Sequence, residues 1–306
     1  MKRRDFLKWQ LTGLGLLGMN APLLTSAQEA FAEPLPDVAV ARGEPGPAAR
    51  AAVNQLGGMG RFVKKGQKVV VKPNMSFARA PESATNTHPE VLREVLVMCK
   101  EAGAAKILVL DNVLQDSELC LSRSGIRDMC NAFQPGICHN VAHSSFFAES
   151  ALPQGLEMRS NAFMKDVLEA DVIIAVPVAK SHGSAGVSLS LKGQMGLIYD
   201  RHVMHSRYDL SASIVDLATR IKPALAVIDA TRVLTTNGPG GPGKVILPGE
   251  VIASADPVAA DATAVASYEW YGRKMQPRQV PHLRLAHERG LGRIDIDALV
   301  TKRVTV

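Results

Sequence analysis

Two lysines and a histidine follow an apolar run in the segment 170–196, ADVIIAVPVAKSHGSAGVSLSLKGQMG. The mainly apolar residues 171–176 predict a buried strand, and Lys180 and His182 come just after its end. Lysine side chains bind carboxylates, phosphates and other oxyanions, and an imidazole titrates near neutral pH. We therefore predict that Lys180 and Lys192 hold an anionic ligand and that His182 serves as an acid or a base.

Polar residues also follow or close the other predicted strands. Ligands of open parallel sheets bind beyond the carboxyl ends of the strands, so these residues form one candidate site. Each of them alone could equally be a helix cap or a surface charge. Asp111 or Asp229 would orient the histidine or pair with a lysine. Taken together, the pattern predicts catalytic roles for His182, Lys180 and Asp229, and ligand-binding roles for Lys72, Asn74, Asp111, Lys192 and Asp256.

Apolar runs alternate with segments of helical spacing along the chain. Near-continuous apolar strands that alternate with helices are typical of an α/β fold. We expect one α/β domain over residues 33–306, with a mainly parallel sheet flanked by helices, in one lobe or two. Strands are predicted at 68–72, 106–110, 171–176, 225–228 and 250–254, and helices at 47–59, 89–102, 119–133, 163–169, 211–221 and 256–271.

The composition argues against two classes of protein. The 306 residues carry a net charge of +6 without a dense basic run, and only 5% of them are aromatic, so no nucleic-acid partner is expected. The four cysteines form no C-x-x-C pair, which argues against an iron–sulfur cluster or a zinc ribbon. Cys130 and Cys138 are either a disulfide pair or free thiols.

Residues 238–244 match the pattern G-x-x-x-x-G-K without meeting the needs of a nucleotide P-loop. Val245 stands where the P-loop has Ser or Thr, and Pro239 and Pro242 remove two of the amides that would bind phosphate. We expect instead a tight loop over the site. Two histidine pairs have helical ligand spacing but lack the H-E-x-x-H context, so no metal ligand is predicted and the cofactor is left unknown; they are His139 with His143 and His202 with His205.

The first 32 residues predict an export signal. Residues 3–8, RRDFLK, resemble the twin-arginine signal, and a weakly apolar, glycine-rich segment and the small-x-small sequence at 30–32 follow them. We expect the twin-arginine translocase as a partner, a periplasmic mature protein, and no stable membrane anchor after cleavage. The G-x-G-x-x-G sequence at 13–18 lies inside this signal, so it is not interpreted as a dinucleotide fingerprint.

Five motifs stand in order along the chain: VVVKPN at 69–74, NTHPEVLREVL at 86–96, the segment 170–196, GPGGPG at 238–243 and SADPVAADATA at 254–264. Together they resemble the prokaryotic family known as domain of unknown function 362. The resemblance implies no defined reaction, because the family's activity is largely unassigned. Some relatives carry a ferredoxin-like cysteine module, which these residues lack. The family's second lysine motif reads K-N-x-x-G, whereas Gly193 follows Lys192 here, and the last motif adds Asp261 to the predicted ligand-binding residues.

Two functions from different classes fit these residues. The first is an exported protein that binds or transforms a small anionic ligand at the Lys/His/Asp site. The second is an accessory or maturation factor for an exported redox enzyme, with no chemistry of its own. A bound metal or cluster is a third hypothesis, suggested by the export route and the histidines.

Overall fold

A computed structural model describes residues 34–306 of the chain, so the predicted signal at 1–32 lies outside the described residues. The helices are α1 Pro45–Gln55, α2 Pro89–Glu101, α3 Ser117–Arg123, α4 Ile126–Phe133, α5 Lys165–Leu168, α6 Ser190–Gly193, α7 Val203–Ser206, α8 Leu210–Arg220, α9 Pro257–Ser267 and α10 Pro281–Glu288. The strands are β1 Val38–Arg42, β2 Lys68–Pro73, β3 Lys106–Asp111, β4 Cys138–Asn140, β5 Phe147–Ala151, β6 Ser160–Met164, β7 Val172–Val176, β8 Val178–His182, β9 Gly186–Ser188, β10 Leu225–Leu234, β11 Val245–Ile246, β12 Glu250–Ser254, β13 Glu269–Trp270, β14 Arg273–Lys274 and β15 Thr301–Thr305.

One mixed sheet organises these elements, in the order β15-β1-β12-β10-β7-β2-β3-β4. The strands β10, β7, β2, β3 and β4 run parallel to one another, and β15 is parallel to β1. β12 is antiparallel to both β1 and β10. The predicted α/β class with a mainly parallel sheet is confirmed, and residues 35–306 cluster as one compact unit.

Helices cover both faces of this sheet, which explains the uninterrupted apolar strands. Successive residues of a strand point to opposite faces, so Val70 and Val71 of β2 enter different hydrophobic clusters. Val71 packs in the cluster of α1, α2 and α4, and Val70 in that of α8, α9 and α10. A strand buried on both faces needs apolar side chains at every position.

Two strand predictions are wrong in ways that affect the site. β10 continues to Leu234 instead of closing at Asp229, so Asp229 lies in the middle of a strand. β12 is antiparallel, and its carboxyl end at Ser254 pairs with Ala226 near the start of β10. Asp256 therefore follows the opposite edge of the sheet from the carboxyl ends of the parallel strands. Hydrophobicity alone does not report strand direction, because a covered antiparallel strand is equally apolar.

Other differences concern local structure. The short helix predicted over 163–169 is present as α5 at Lys165–Leu168, but its first two residues belong to β6, which pairs with β5. The helix predicted over 119–133 is divided into α3 and α4 by Gly125, whose φ of 73° ends the first helix. Among residues 34–306, no helix has the length and apolar character that a membrane span requires.

Candidate functional site

A pocket of about 90 Å³ opens beyond the carboxyl ends of β2 and β3. It gathers six of the nine predicted site residues: Lys72, Asn74, Asp111, Lys180, His182 and Lys192. The remaining lining residues are Ser76, Phe77, Leu114, Ser188, Gly193, Met195, Gly196, Arg201, His205 and Pro239.

The parallel register of β2 and β3 brings Lys72 and Asp111 together. Both side chains are buried, and Lys72 Nζ lies 3.1 Å from Asp111 Oδ1 as an ion pair. The other carboxylate oxygen of Asp111 accepts hydrogen bonds from Ser76 Oγ at 3.0 Å and from the Met75 amide at 3.3 Å. Burial lowers the pKa of Lys72, and the neighbouring Asp111 opposes that shift. The pair leaves little of the lysine charge for a ligand.

Lys180 lies within a strand, whereas the sequence pattern predicts it just after a strand end. The chain turns at Pro177 and continues as β8, which pairs with β10 and, in antiparallel fashion, with β9. Lys180 Nζ donates to the Thr85 carbonyl and sits 4.7 Å from the centroid of the Phe77 ring. Burial, followed by the positive charges of Lys192 and Lys72, lowers the pKa of Lys180 to about 7.

His182 lies two residues further along β8 and therefore on the same face of the strand as Lys180. Its Nδ1 accepts a hydrogen bond from the Ala185 amide at 3.2 Å, which leaves Nε2 to carry the proton of a neutral ring. The ring stacks on His205, with centroids 6.2 Å apart and planes at 14°. Burial and the nearby charge of Lys192 lower the pKa of His182 to about 3, so the ring is neutral at physiological pH.

Lys192 reaches the pocket from α6, a single turn that Asp261 holds in place. The two oxygens of Asp261 accept hydrogen bonds from the Ser190 and Leu191 amides at 2.8 and 3.0 Å. Asp261 is thus a positioning residue beneath the pocket, and burial raises its pKa to about 7. Burial and the charges of Arg201 and Lys72 lower the pKa of Lys192 to about 8.

Asn74 lines the pocket and also fixes its wall. Its side-chain oxygen accepts a hydrogen bond from the Val178 amide at 3.0 Å, which holds the start of β8 against the end of β2. Asn74 therefore has a structural role in addition to the predicted contact with a ligand.

Asp229 and Asp256 lie outside the pocket. Asp229 is buried, and its oxygens accept hydrogen bonds from Thr231, from the His88 amide at 2.8 Å and from Arg232 at 2.6 Å. Asp256 caps α9, where it accepts hydrogen bonds from the Val258 and Ala259 amides. Both carboxylates are bound by groups of the protein itself and do not line the pocket with Lys180 and His182.

The GPGGPG segment covers one side of the pocket, as the sequence predicts. Pro239 is part of the lining, and the Gly238 amide donates to Ser181 Oγ at 2.9 Å. A Cβ on Gly238 would lie 1.9 Å from the Ser181 carbonyl oxygen, so only glycine allows this approach. Ser181 points to the other face of β8 from Lys180 and ties the loop to the strand.

Three further residues line the pocket although no sequence pattern predicts them there: Arg201, His205 and Phe77. None of them directly follows a predicted strand, and the first two lie between the predicted strand at 171–176 and the predicted helix at 211–221. Arg201 adds a fourth basic group, and its Nη2 donates to the Val113 carbonyl at 3.0 Å. Burial lowers the pKa of Arg201, and Asp111 opposes that shift.

The pocket has a strong excess of basic groups. Lys72, Lys180, Lys192 and Arg201 face one carboxylate, that of Asp111. Among the described residues, neither Lys180 nor Lys192 has a carboxylate within salt-bridge distance. Also within residues 34–306, no group of three or more His, Cys, Asp or Glu residues is placed to hold a metal ion. The arrangement suits an anion and offers neutral nitrogen bases beside it.

Residues 69–266 match the family described as "Domain of unknown function (DUF362)". The chain belongs to the DUF362 family. The matched span contains every residue that lines the pocket, so the pocket lies within the family domain. The family resemblance inferred from the five motifs is confirmed.

A thylakoid-associated protein of Synechocystis sp. is 27% identical to this DUF362 chain in an alignment of 224 residues, and the alignment covers 69% of the chain and 66% of that relative. Two solved structures share 14% identity with the chain. The lactate racemase apoprotein from Thermoanaerobacterium thermosaccharolyticum has a TM-score of 0.47 over 74% of this chain and 56% of its own. A Thermotoga maritima protein has a TM-score of 0.44 over 73% and 59%. The chain thus spans less than two thirds of either solved protein.

Proposed function

We propose that this DUF362 protein binds a small anionic molecule in the basic pocket and carries out acid–base chemistry on it with Lys180 and His182. The observation that carries the proposal is a buried lysine, Lys180, beside a half-buried one, Lys192, neither with a carboxylate partner among the described residues. Charges removed from water in this way are costly, and an anion in the pocket would compensate them.

A carboxylate, phosphate or similar oxyanion fits this pocket best. Its negative charge favours the protonated lysines and raises their pKa, so Lys180 and Lys192 become its charged hydrogen-bond donors. Arg201 supplies a planar set of donors from its own part of the lining. The small volume of the pocket limits the group bound here to a few non-hydrogen atoms.

Lys180 and His182 are the candidate catalytic residues. A lysine with a pKa of about 7 is a mixture of neutral and charged forms at neutral pH, so it can accept or donate a proton. The neutral ring of His182 presents an N–H donor beside it. Asp111 would keep Lys72 charged and oriented, whereas Asp229 has no part in the proposed chemistry because its oxygens are already bound.

Calorimetric titration of the purified protein with acetate, inorganic phosphate and acetamide tests the anion site. We expect acetate or phosphate to bind, and acetamide, the neutral counterpart of acetate, to bind far more weakly. Replacing Lys180 with methionine removes one charged hydrogen bond, which is worth about 1.5–3 kcal/mol. The affinity of Lys180→Met for the anion should therefore fall by roughly 10- to 100-fold.

Lys65→Met is the matched control, because Lys65 is exposed in the loop that precedes β2, at the far end of that strand from the pocket. It removes the same charge from the surface and should leave the affinity unchanged. Equal losses in both variants, or equal binding of acetate and acetamide, would refute the proposed site.

The proposal includes export through the twin-arginine route to the periplasm. It is supported by the RRDFLK motif and by the relative from Synechocystis, which is named as thylakoid-associated. The alternative function, an accessory or maturation factor for an exported redox enzyme, stays a prediction. If this alternative is correct, a periplasmic pull-down should recover a stoichiometric partner. That function does not depend on the lowered pKa values of Lys180 and Lys192.

A further inference from the structure

Three lysines line the basic pocket, and they differ in what their amino groups contact. Lys72 Nζ pairs with Asp111 at 3.1 Å. Lys180 is 2% exposed, and its Nζ donates to the Thr85 carbonyl. Lys192 is more exposed than either, and within the described part of the chain its Nζ has neither a hydrogen bond nor an ion pair and is not closed off from solvent. Lys192 therefore carries the most accessible amine of the pocket.

Lys192 also stands on a fixed part of the pocket wall. It belongs to α6, and the two oxygens of Asp261 bind the first two amides of this helix. The Gly193 amide closes the same turn on the Leu189 carbonyl at 2.9 Å. A fixed amine beside a binding pocket reacts faster with a bound molecule, because the two groups need not be brought together from solution.

The charges around Lys192 favour its neutral form. Burial and the positive charges of Arg201 and Lys72 lower the pKa of Lys192 to about 8. A neutral lysine is a nucleophile, and a lysine that is desolvated beside other cationic groups is the type that forms an imine with a carbonyl compound. The same cationic neighbours attract anions, so a molecule with both an anionic group and a carbonyl group is drawn to this amine.

We propose that Lys192 forms an imine with a small anionic carbonyl compound, such as a 2-oxo acid, bound in the basic pocket. This inference rests on the proposed function, because anion binding brings the molecule to the amine. The pocket volume of about 90 Å³ admits only a few non-hydrogen atoms, so the anionic group and the carbonyl must be close together, as they are in a 2-oxo acid.

The reaction needs no further reagent. The lone pair of the neutral Lys192 Nζ forms a bond to the carbonyl carbon, the carbon–oxygen bond breaks, and the oxygen leaves as water with the two hydrogens of the amine. No atom is oxidised or reduced. Lys180 and His182, the acid–base residues of the proposed function, would carry the protons from nitrogen to oxygen.

Reductive trapping of the full chain with pyruvate tests the proposal. Sodium cyanoborohydride reduces the imine to a stable secondary amine, and peptide mass spectrometry locates the labelled lysine. We expect Lys192 to be labelled at least about tenfold faster than the exposed Lys65, because charged hydrogen bonds of the pocket hold the carboxylate of pyruvate. Labelling of Lys192 no faster than that of Lys65, or preferential labelling of Lys180, would overturn the proposal.

Acetone, in which a methyl group replaces the carboxylate of pyruvate, is the neutral control probe. The ratio of labelling at Lys192 to labelling at Lys65 cancels the different reactivities of the two ketones, and this ratio should be about tenfold lower with acetone. Added acetate should slow the labelling of Lys192 by pyruvate and leave that of Lys65 unchanged. An equal ratio with both ketones would refute the anionic class of the substrate.

Lys192→Arg keeps the positive charge and removes the primary amine. This variant should lose the fast labelling and still bind acetate in calorimetric titration, which shows that the pocket is intact. Fast labelling of another pocket lysine in the variant would contradict the assignment to Lys192. Acetate binding by the native protein without fast labelling of Lys192 would refute the imine alone, whereas absence of acetate binding would refute the anion site itself.

Discussion

Lys180 is the residue whose chemistry depends most on its surroundings. A lysine in water has a pKa of 10.5, but burial and two neighbouring lysines lower the pKa of Lys180 to about 7. The Thr85 carbonyl and the Phe77 ring solvate the ammonium group in part, and neither supplies a full negative charge. A group in this state is poised for proton transfer, and it also makes the stability of the protein depend on pH.

The pH dependence of unfolding tests this directly. The folded protein releases the Lys180 proton near pH 7 and the unfolded chain releases it near 10.5, so between these values the unfolded state holds more protons. The free energy of unfolding should therefore rise as the pH increases from 7 towards 10.5, and this gain is lost as the pH falls back to 7. Denaturant unfolding at several pH values measures it.

Lys180→Met should flatten this pH dependence, because the variant has no proton to exchange at that position. Part of the slope should persist, since the pKa of Lys192 is also lowered, to about 8. Lys65→Met again serves as the surface control and should show the native slope. An unchanged slope in Lys180→Met would mean that the lysine keeps its ordinary pKa.

At the scale of elements, the segment from Ser190 to Leu197 lines the basic pocket and also packs against α8 and α9. Lys192, Gly193, Met195 and Gly196 line the basic pocket, whereas Leu191 and Gln194 are buried and do not line it. Asp261 binds the first amides of this segment. The Gly196 carbonyl accepts a hydrogen bond from the Asn112 amide at 2.8 Å, which fixes the other end of the segment beside β3.

Gly196 is where this segment meets the Lys72–Asp111 pair. A Cβ at this position would lie 2.0 Å from Asp111 Oδ1 and 2.6 Å from Lys72 Cε. Gly196→Ala should therefore separate the pair, lower the free energy of unfolding by about 1–3 kcal/mol and weaken acetate or phosphate binding. Denaturant unfolding and calorimetric titration measure the two effects.

Gly183→Ala is the control for that change. Gly183 is exposed in the turn between β8 and β9, and a Cβ there meets no atom within 4 Å. The variant should remain within about 0.5 kcal/mol of the native stability and bind the anion normally. If the two glycine variants behave alike, the close contact at Gly196 does not matter.

At the scale of the whole molecule, the topology of the sheet decides which polar residues meet. The parallel strands β2 and β3 deliver Lys72 and Asp111 to one edge. The reversed direction of β12 delivers Asp256 to the other edge, where it caps α9. The antiparallel direction of β12 thus separates Asp256 from the residues that sequence patterns place in one site with it.

The proposed periplasmic location of the protein depends on the arginine pair at residues 3 and 4. We expect an Arg3→Lys, Arg4→Lys double variant to remain in the cytoplasm when it is produced in a bacterium with a twin-arginine translocase. Lysine keeps the charge and removes the arginine pair that the signal requires. Fractionation followed by immunoblotting measures the periplasmic share. A Lys2→Ser variant should be exported normally, and export of the double variant would contradict the proposed route.

Much of the fold and of the pocket is accessible from sequence patterns. Uninterrupted apolar runs such as VVV at 69–71 identify strands buried on two faces, and the alternation with helices identifies the α/β class. The rule that ligands bind at the carboxyl ends of parallel strands correctly groups Lys72, Asn74 and Asp111. The order of the motifs alone is sufficient to recognise the family.

The amino-acid sequence by itself determined the fold class, the family and the residue types available for an anion site, because these depend on local periodicity and on motifs. Only the tertiary structure decided the direction of β12, the extension of β10 past Asp229 and the entry of Arg201 and His205 into the pocket. Within residues 34–306, it also decided that Lys180 is buried with no carboxylate at salt-bridge distance, whereas Asp229 is paired with Arg232. Strand direction and charge pairing arise from contacts between residues far apart in the chain, and no local pattern records them.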